Sequence, residues 1–283
     1  MKRTLTTLLI LLTCSVAHAN PYQYEGGIAY GQVDYDVLGA FEDKSVIGHL
    51  NYYFAPVDPG FYPYKEAAFA NRASRVHAGY RQVRGEFTRK KVASLGGEAF
   101  VGGFYAYANV DFNKWDRNRY VLDKFHPEFG KDDYSKNNTA DGQLAVGYMP
   151  VDNWLLSASF DFVKDQQTLS HDARKDQKTY AINSKYLLPL ENNRALNAEA
   201  SVGYMQHDKN TMLYRIGADF YMTQKFGAGI WLRMPDRSGY HNEKGLRASY
   251  FVIPELELYA DYVDNFGYED HIKYLIMGVN ARY

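Results

Sequence analysis

LNAEASVGYMQHDKNTMLYRIGADFYM, residues 196–222, alternates apolar and polar side chains twice in succession. Leu196, Ala198, Ala200, Val202 and Tyr204 share one face, with Asn197, Glu199, Ser201 and Gly203 on the other. Tyr214, Ile216, Ala218, Phe220 and Met222 then stand against Arg215, Gly217, Asp219 and Tyr221. A period of two is the signature of β-strands, because successive side chains leave an extended backbone on opposite sides.

The pattern continues toward the C-terminus. Phe226, Ala228, Ile230, Leu232 and Met234 oppose Gly227, Gly229, Trp231 and Arg233; Leu246, Ala248, Tyr250 and Val252 oppose Arg247, Ser249 and Phe251; Leu256, Leu258, Ala260 and Tyr262 oppose Glu255, Glu257, Tyr259 and Asp261. Each run spans roughly 9 to 11 residues, the length a tilted strand needs to cross a bilayer. The face opposite the apolar one carries Gly, Ser and charges of both signs, whereas the apolar face ends repeatedly in aromatics. That is the pattern of a lipid-facing wall with interface belts, and not of a sandwich packing large residues inward. Register follows from magnitude. An arginine at the lipid midplane costs roughly 2–4 kcal/mol, so Arg215, Arg233 and Arg247 are expected to face a lumen, and a slip of one residue would expose the whole set.

Composition agrees with this. The chain has 26 Tyr, 16 Phe and 3 Trp among 283 residues and a single cysteine. Its mean hydropathy of −0.46 excludes a bundle of membrane-spanning helices. Lys2 and Arg3, the apolar run around Leu8–Leu12 and the A-x-A site Ala17-His18-Ala19 predict a secretory signal peptide over residues 1–19, removed to leave a barrel domain over residues 20–283. A lipid anchor on Cys14 is the alternative, disfavoured by Thr13 before it and by the A-x-A site beyond. Cleavage leaves no cysteine, which suits an oxidising compartment and removes disulfides and thiolate chemistry. Losing Lys2 and Arg3 moves the formal charge from −1 to −3, a balance that points to no nucleic-acid partner.

Short turns are expected at Pro150–Asn153, Pro189–Arg194, Thr223–Lys225 and Pro254, all on the periplasmic side, and longer external loops at Lys164–Lys178 and Asp236–Lys244. Gln206–Asn210 is short for an external loop, and Asn113–Thr139 has no clear place. Further strands read as Tyr22–Val33, Val46–Phe54, Ala73–Arg84, Gly97–Val110, Gln143–Met149, Trp154–Val163 and Thr179–Leu188, with a last one ending at Tyr283. The count is thirteen. Single-chain bacterial barrels have an even number, so the reading is an all-β, antiparallel, up-and-down transmembrane β-barrel of 14 strands, the missing one placed within Phe112–Phe125, with 12 as the alternative.

Leu275, Met277, Val279, Ala281 and Tyr283 alternate to a terminal aromatic and resemble the insertion signal read by the outer-membrane assembly machinery. Together with NYYFAPVDPGFYPYKEAAFANRAS, residues 51–74, and the GYMPVDNWLLSA hairpin, they make the chain resemble the general bacterial porin family of gammaproteobacterial outer membranes. The resemblance covers essentially the whole mature chain and implies passive diffusion of small polar solutes, with outer-membrane lipids as surroundings. It identifies no solute, and monomer and trimer both stay open.

Enzyme chemistry finds little support. His207 and Asp208 near a strand end would suit a lipase base, but Lys209 stands where a serine nucleophile is needed. Asp270 and His271 are neighbours, which on a strand places them on opposite faces. No histidine spacing suits a metal, Gly26-Gly27 and Gly102-Gly103 lack the helix of a phosphate loop, and the Asn137-Asn138-Thr139 sequon carries little weight in a bacterial barrel. Neither cofactor nor metal is expected. What remains is a lumen lined by Lys185, Glu199, Arg215, Asp219, Arg233, Arg247, Glu255, Glu257 and Asp261, whose mixed signs would order water and select small polar solutes. In a structural or adhesive barrel the same charges would pair and plug the interior. Residues 56–72, PVDPGFYPYKEAAFANR, break the strand rhythm with three prolines and a short helix-capable stretch. Irregular backbone at membrane depth survives inside a protein-lined cavity, so this segment is expected to constrict the lumen, with a long turn at the rim as the alternative.

Overall fold

The computed structural model describes residues 20–35, 41–85, 88–117, 137–163, 177–206, 210–236, 242–266 and 272–283. Fourteen antiparallel strands form one closed barrel in sequence order: β1 (Tyr22–Tyr35), β2 (Phe41–Val57), β3 (Arg75–Arg84), β4 (Thr88–Val101), β5 (Phe104–Arg117), β6 (Asn137–Val151), β7 (Trp154–Val163), β8 (Gln177–Leu190), β9 (Arg194–Gln206), β10 (Thr211–Tyr221), β11 (Phe226–Pro235), β12 (Asn242–Ile253), β13 (Leu256–Phe266) and β14 (Ile272–Arg282). β1 pairs with β14 over eleven residues, from Glu25↔Arg282 to Tyr35↔Ile272, so the sheet has no open edge.

The fourteenth strand is not where the sequence placed it. Gly97–Val110 is no single strand: Val101 pairs with Phe104 across a two-residue turn at Gly102-Gly103, and the stretch divides between β4 and β5. Gly102 has φ +61°, a left-handed backbone that glycine adopts without strain. A Gly-Gly pair between alternating runs is a hairpin signal. Of the proposed Phe112–Phe125 strand, residues 112–117 complete β5, and the rest lies outside the described residues, as do the signal peptide, His207–Lys209 and Asp270-His271. Most strands also run beyond their expected ends, and Asn113–Arg117 and Asn137–Thr139 resolve as the upper halves of β5 and β6.

The turns at 102–103, 152–153, 191–193, 222–225 and 254–255 all lie at one end, with the first and last described residues, Asn20 and Tyr283. There the Tyr24 and Gln23 amides bond the Tyr283 carbonyl. The outer surface is banded. Ile28, Leu50, Leu95, Leu144, Ile182, Ile216, Ile230 and Leu246 are each at least half exposed at mid-strand. Aromatics cap the band, paired across strands as Tyr24–Tyr52 at 5.2 Å and Phe104–Tyr148 at 5.3 Å toward the short turns, and as Phe160–Tyr180 at 5.1 Å toward the other end. An aliphatic waist between two aromatic girdles is the surface a bilayer solvates, with rings at the headgroup level.

Ile216→Arg is therefore expected to lower folding free energy in lipid vesicles by roughly 2–4 kcal/mol, whereas Ser201→Arg on the lumen face changes it far less. Denaturant titration followed by heat-modifiable gel mobility measures both. A larger penalty for Ser201→Arg than for Ile216→Arg would mean that the wall has been assigned the wrong way round.

Candidate functional site

The connection between β2 and β3 does not stay at the rim. Residues 58–74 include a single 3-10 turn, Tyr64–Glu66, and one α-helical turn, α1 (Ala67–Ala70), and they run across the barrel at the short-turn end. Apolar contacts seat the segment twice. Ala67 and Ala73 are buried with Tyr22, Tyr53 and Val57 on the β1–β2 side. Tyr62, Phe69 and Ala70 pack against Leu187, Ala195 and Tyr221 on the β8–β10 side. The constriction expected from residues 56–72 thus takes the form of a floor touching opposite walls.

Charges tie this floor down. Lys65 Nζ is 2.7 Å from Glu257 Oε1, and Glu257 also accepts from Asn280 at 2.7 Å. Glu66 is 5% exposed, with Lys185 Nζ at 2.8 Å and the Tyr221 hydroxyl donating at 2.7 Å. The Lys185 ammonium also lies 4.6 Å from the Phe69 ring centroid. Arg282 donates to Glu25 at 2.6 Å and to the Tyr64 carbonyl at 2.7 Å, its guanidinium held between Tyr22 and Phe251. Arg72 pairs with Asp152 in the β6–β7 turn, and Gln224 in the β10–β11 turn donates to the Gly60 carbonyl at 2.7 Å while its own carbonyl accepts from the Tyr64 amide at 2.9 Å.

Above the floor lies a cavity of about 1060 Å³, bounded below by Lys65, Glu66 and Phe69 and reaching to Lys90 and Asp141 in the other half of the barrel. Four of the sequence-predicted lumen residues come together on its wall. Arg247 pairs with Asp219 through two nitrogens, one of them Nη2 at 2.6 Å, and reaches Glu199 at 3.4 Å. Asn197 bridges Glu199 and Asp219 at 3.0 and 2.9 Å, and Lys185 lies 4.0 Å from Glu199. Asp261 lines the cavity opposite Arg247 in register. Glu257 belongs to the floor. Arg215 and Arg233 are register partners nearer the long-loop end, outside this network. Glu255 sits in the β12–β13 turn, where its carbonyl accepts from the Arg282 amide.

Sequence reasoning missed ten of the fifteen charged residues that line the cavity. Glu25, Lys65, Glu66, Arg75, Glu98 and Arg282 were not singled out, although Arg75 and Glu98 pair at 2.8 Å. Parity would have found Glu25, Arg75, Glu98 and Arg282, which alternate with Tyr24, Val76, Ala99 and Ala281. The terminal strand carries Leu275 and Met277 on its exposed face and Tyr283 at its end, with Val279 and Ala281 in the same parity.

Burial opposes ionisation of Glu66, but the Lys185 ammonium and the hydrogen bonds from Lys185 and Tyr221 outweigh it and hold the carboxyl below the usual glutamate range. A carboxyl depressed in this way stabilises the docked floor at pH above that range, and the contribution disappears as pH falls through the lowered value. Amide exchange of residues 64–70 is expected to rise only under acid conditions. At neutral pH, Lys185→Met leaves Glu66 buried without its cation, worth about 3 kcal/mol. The expected result is trypsin cleavage after Lys65 and Arg72 in a barrel that stays heat-modifiable. Unchanged protection would show that the tether is not what holds the floor.

A family profile described as "Putative general bacterial porin" matches residues 1–253. Among solved structures the barrel is similar to the Acinetobacter baumannii outer membrane protein Omp33, with 20% identity, a TM-score of 0.64, and 94% of this chain and 100% of that one covered. It is also similar to the Pseudomonas putida toluene transporter TodX, with 12% identity, a TM-score of 0.53 and 94% and 90% coverage. The Ralstonia pickettii toluene transporter TbuX is a third, at 9% identity, with a TM-score of 0.53 and the same coverage. Identities this low carry the fold alone. No curated protein sequence matches the chain.

Proposed function

The chain belongs to the general bacterial porin family, and from that premise we propose that it works as a diffusion channel of the outer membrane, carrying small polar solutes and ions without cofactor or catalysis. The observation that carries this reading is the charged cavity. Fourteen strands leave more room than the eight whose side chains fill a barrel, and the space here is lined by Arg75, Glu98, Lys185, Glu199, Asp219 and Arg247. Charged walls of both signs favour hydrated, polar passengers. The toluene transporters share the fold, but such a lining suits a different class of solute.

The floor favours a second reading of the same barrel. With residues 58–74 docked, the short-turn end, which we take as periplasmic, is covered, and transport requires the segment to move. A permanently docked floor would make this a structural barrel. The remaining parts of the reading follow the family: removal of residues 1–19 on export, insertion assisted by the assembly machinery acting on the strand that ends at Tyr283, and lipid around the aliphatic waist. Monomer and trimer are both compatible with it.

Single-channel recording of the refolded mature protein in planar bilayers tests the proposal. Stepwise conductance is expected, and Arg215→Gln with Arg233→Gln is expected to shift the reversal potential toward cation preference. Silent insertion of a heat-modifiable barrel would overturn diffusion in favour of a closed structural role.

A further inference from the structure

The lumen cations near the floor are satisfied by carboxylates: Lys65 by Glu257, Lys185 by Glu66, Arg247 by Asp219 and Glu199, Arg282 by Glu25. The long-loop half departs from this. Arg215 on β10 stands directly opposite Arg233 on β11, two like charges facing the same lumen. Directly opposed like charges are unfavourable in a sheet, their Cβ atoms lying roughly 4.5–5.5 Å apart. Arg233 is 3.5 Å from Glu243, itself the next residue in the register. Among the described residues no carboxylate lies within ion-pair distance of Arg215. Glu199, on the neighbouring strand β9, is already held by Arg247 and Lys185.

Arg215 is positioned by an aromatic surface instead. Its guanidinium carbon is 5.0 Å from the centroid of the Trp231 ring. Trp231 is flanked in register by Gly217 on β10 and Gly245 on β12. The indole lies across Gly245, where a Cβ would stand 2.2 Å from Trp231 Nε1, and a Cβ at Gly217 would meet Trp231 Cβ at 3.1 Å. The two glycines make room for a ring laid along the wall, and the ring holds a guanidinium by cation–π attraction, leaving its N–H edge to the lumen. On the other side Arg215 faces Ser201, a short side chain that leaves space beside it.

We propose that Arg215 and Arg233, with Trp231 as platform, form an oxyanion-binding station in the lumen, taking the carboxylate or phosphate group of a passing solute. Planar guanidinium forks match the two oxygens of such groups, and the anion relieves the repulsion between the two arginines. The proposal deepens the channel reading by naming the class of solute the lumen retains. The station would exist in a silent barrel as well, so it is tested apart from conductance.

The test uses the refolded mature protein in detergent micelles, with Trp115→Phe and Trp154→Phe leaving Trp231 as the sole tryptophan, excited selectively over tyrosine. Citrate and inorganic phosphate are titrated against chloride at matched ionic strength. A saturable change in Trp231 emission with both oxyanions and none with chloride is expected. Arg215→Gln and Arg233→Gln should each weaken the midpoint at least tenfold. Ser201→Asp, which supplies Arg215 with an internal carboxylate, should do the same without deleting either arginine, so a folding defect in one variant does not decide the matter. A linear response shared by chloride, or midpoints unchanged in Ser201→Asp and the arginine variants, overturns the proposal. Saturation by phosphate alone or citrate alone overturns the shared oxyanion chemistry.

Discussion

A backbone N–H or C=O that meets hydrocarbon without a partner costs several kcal/mol, and this constraint governs the molecule. Closure of β1 onto β14 satisfies it for the whole sheet, because no strand is left with a free edge. Closure in turn fixes parity. With the mid-strand positions of one face given to lipid, the other takes the Arg, Lys, Asp and Glu at that depth, and the interior becomes charged through exclusion from outside; Glu42, Lys44 and Lys244, of outward parity, lie toward the long-loop end. The exposed aliphatic waist and the ionic lumen are two results of one closure.

A charged interior then meets its own constraint. Carboxylates and ammonium groups withdrawn from water must be paired, and a pair that loses one partner is worse than none. The floor uses this. Lys65, Glu66 and the Tyr64 carbonyl complete Glu257, Lys185 and Arg282, which point inward from β13, β8 and β14. The wall needs the segment as much as the segment needs the wall, which is why a stretch with two prolines and two short helical turns holds a place across a barrel. In the long-loop half, where Trp231 and two glycines arrange the wall differently, Arg215 stands without a carboxylate among the described residues.

Much of this was legible in the sequence. Alternation from Leu196 to Tyr262 identified five strands, their lipid faces and the inward parity of Arg215, Arg233 and Arg247. The Gly102-Gly103 hairpin was missed because the run from Gly97 to Val110 is apolar and aromatic on both faces, which hides the switch of the outward face from odd positions, Leu95 and Val101, to even ones, Phe104 and Val110. Parity also could not say which inward charges meet. Lys185 and Glu199 are register partners, as Arg247 and Asp261 are, yet Arg247 bonds Asp219 on β10, two strands away. Contacts across a lumen depend on barrel shear and side-chain reach, which no one-dimensional period encodes. Glu66 and Lys65 lie in a segment without any period, and their partners 119 to 192 residues away are fixed only by closure.

The central claim is that residues 58–74 form a docked floor whose position sets passage through the barrel. The described residues contain no cysteine, so Ala70→Cys with Ala195→Cys, both in one packed cluster, adds a single reversible lock to a protein that begins at Asn20. Single-channel recording before and after reduction is the direct measurement. The account predicts little or no conductance while the lock is oxidised and stepwise openings once it is reduced. Conductance that is the same in both states would contradict it.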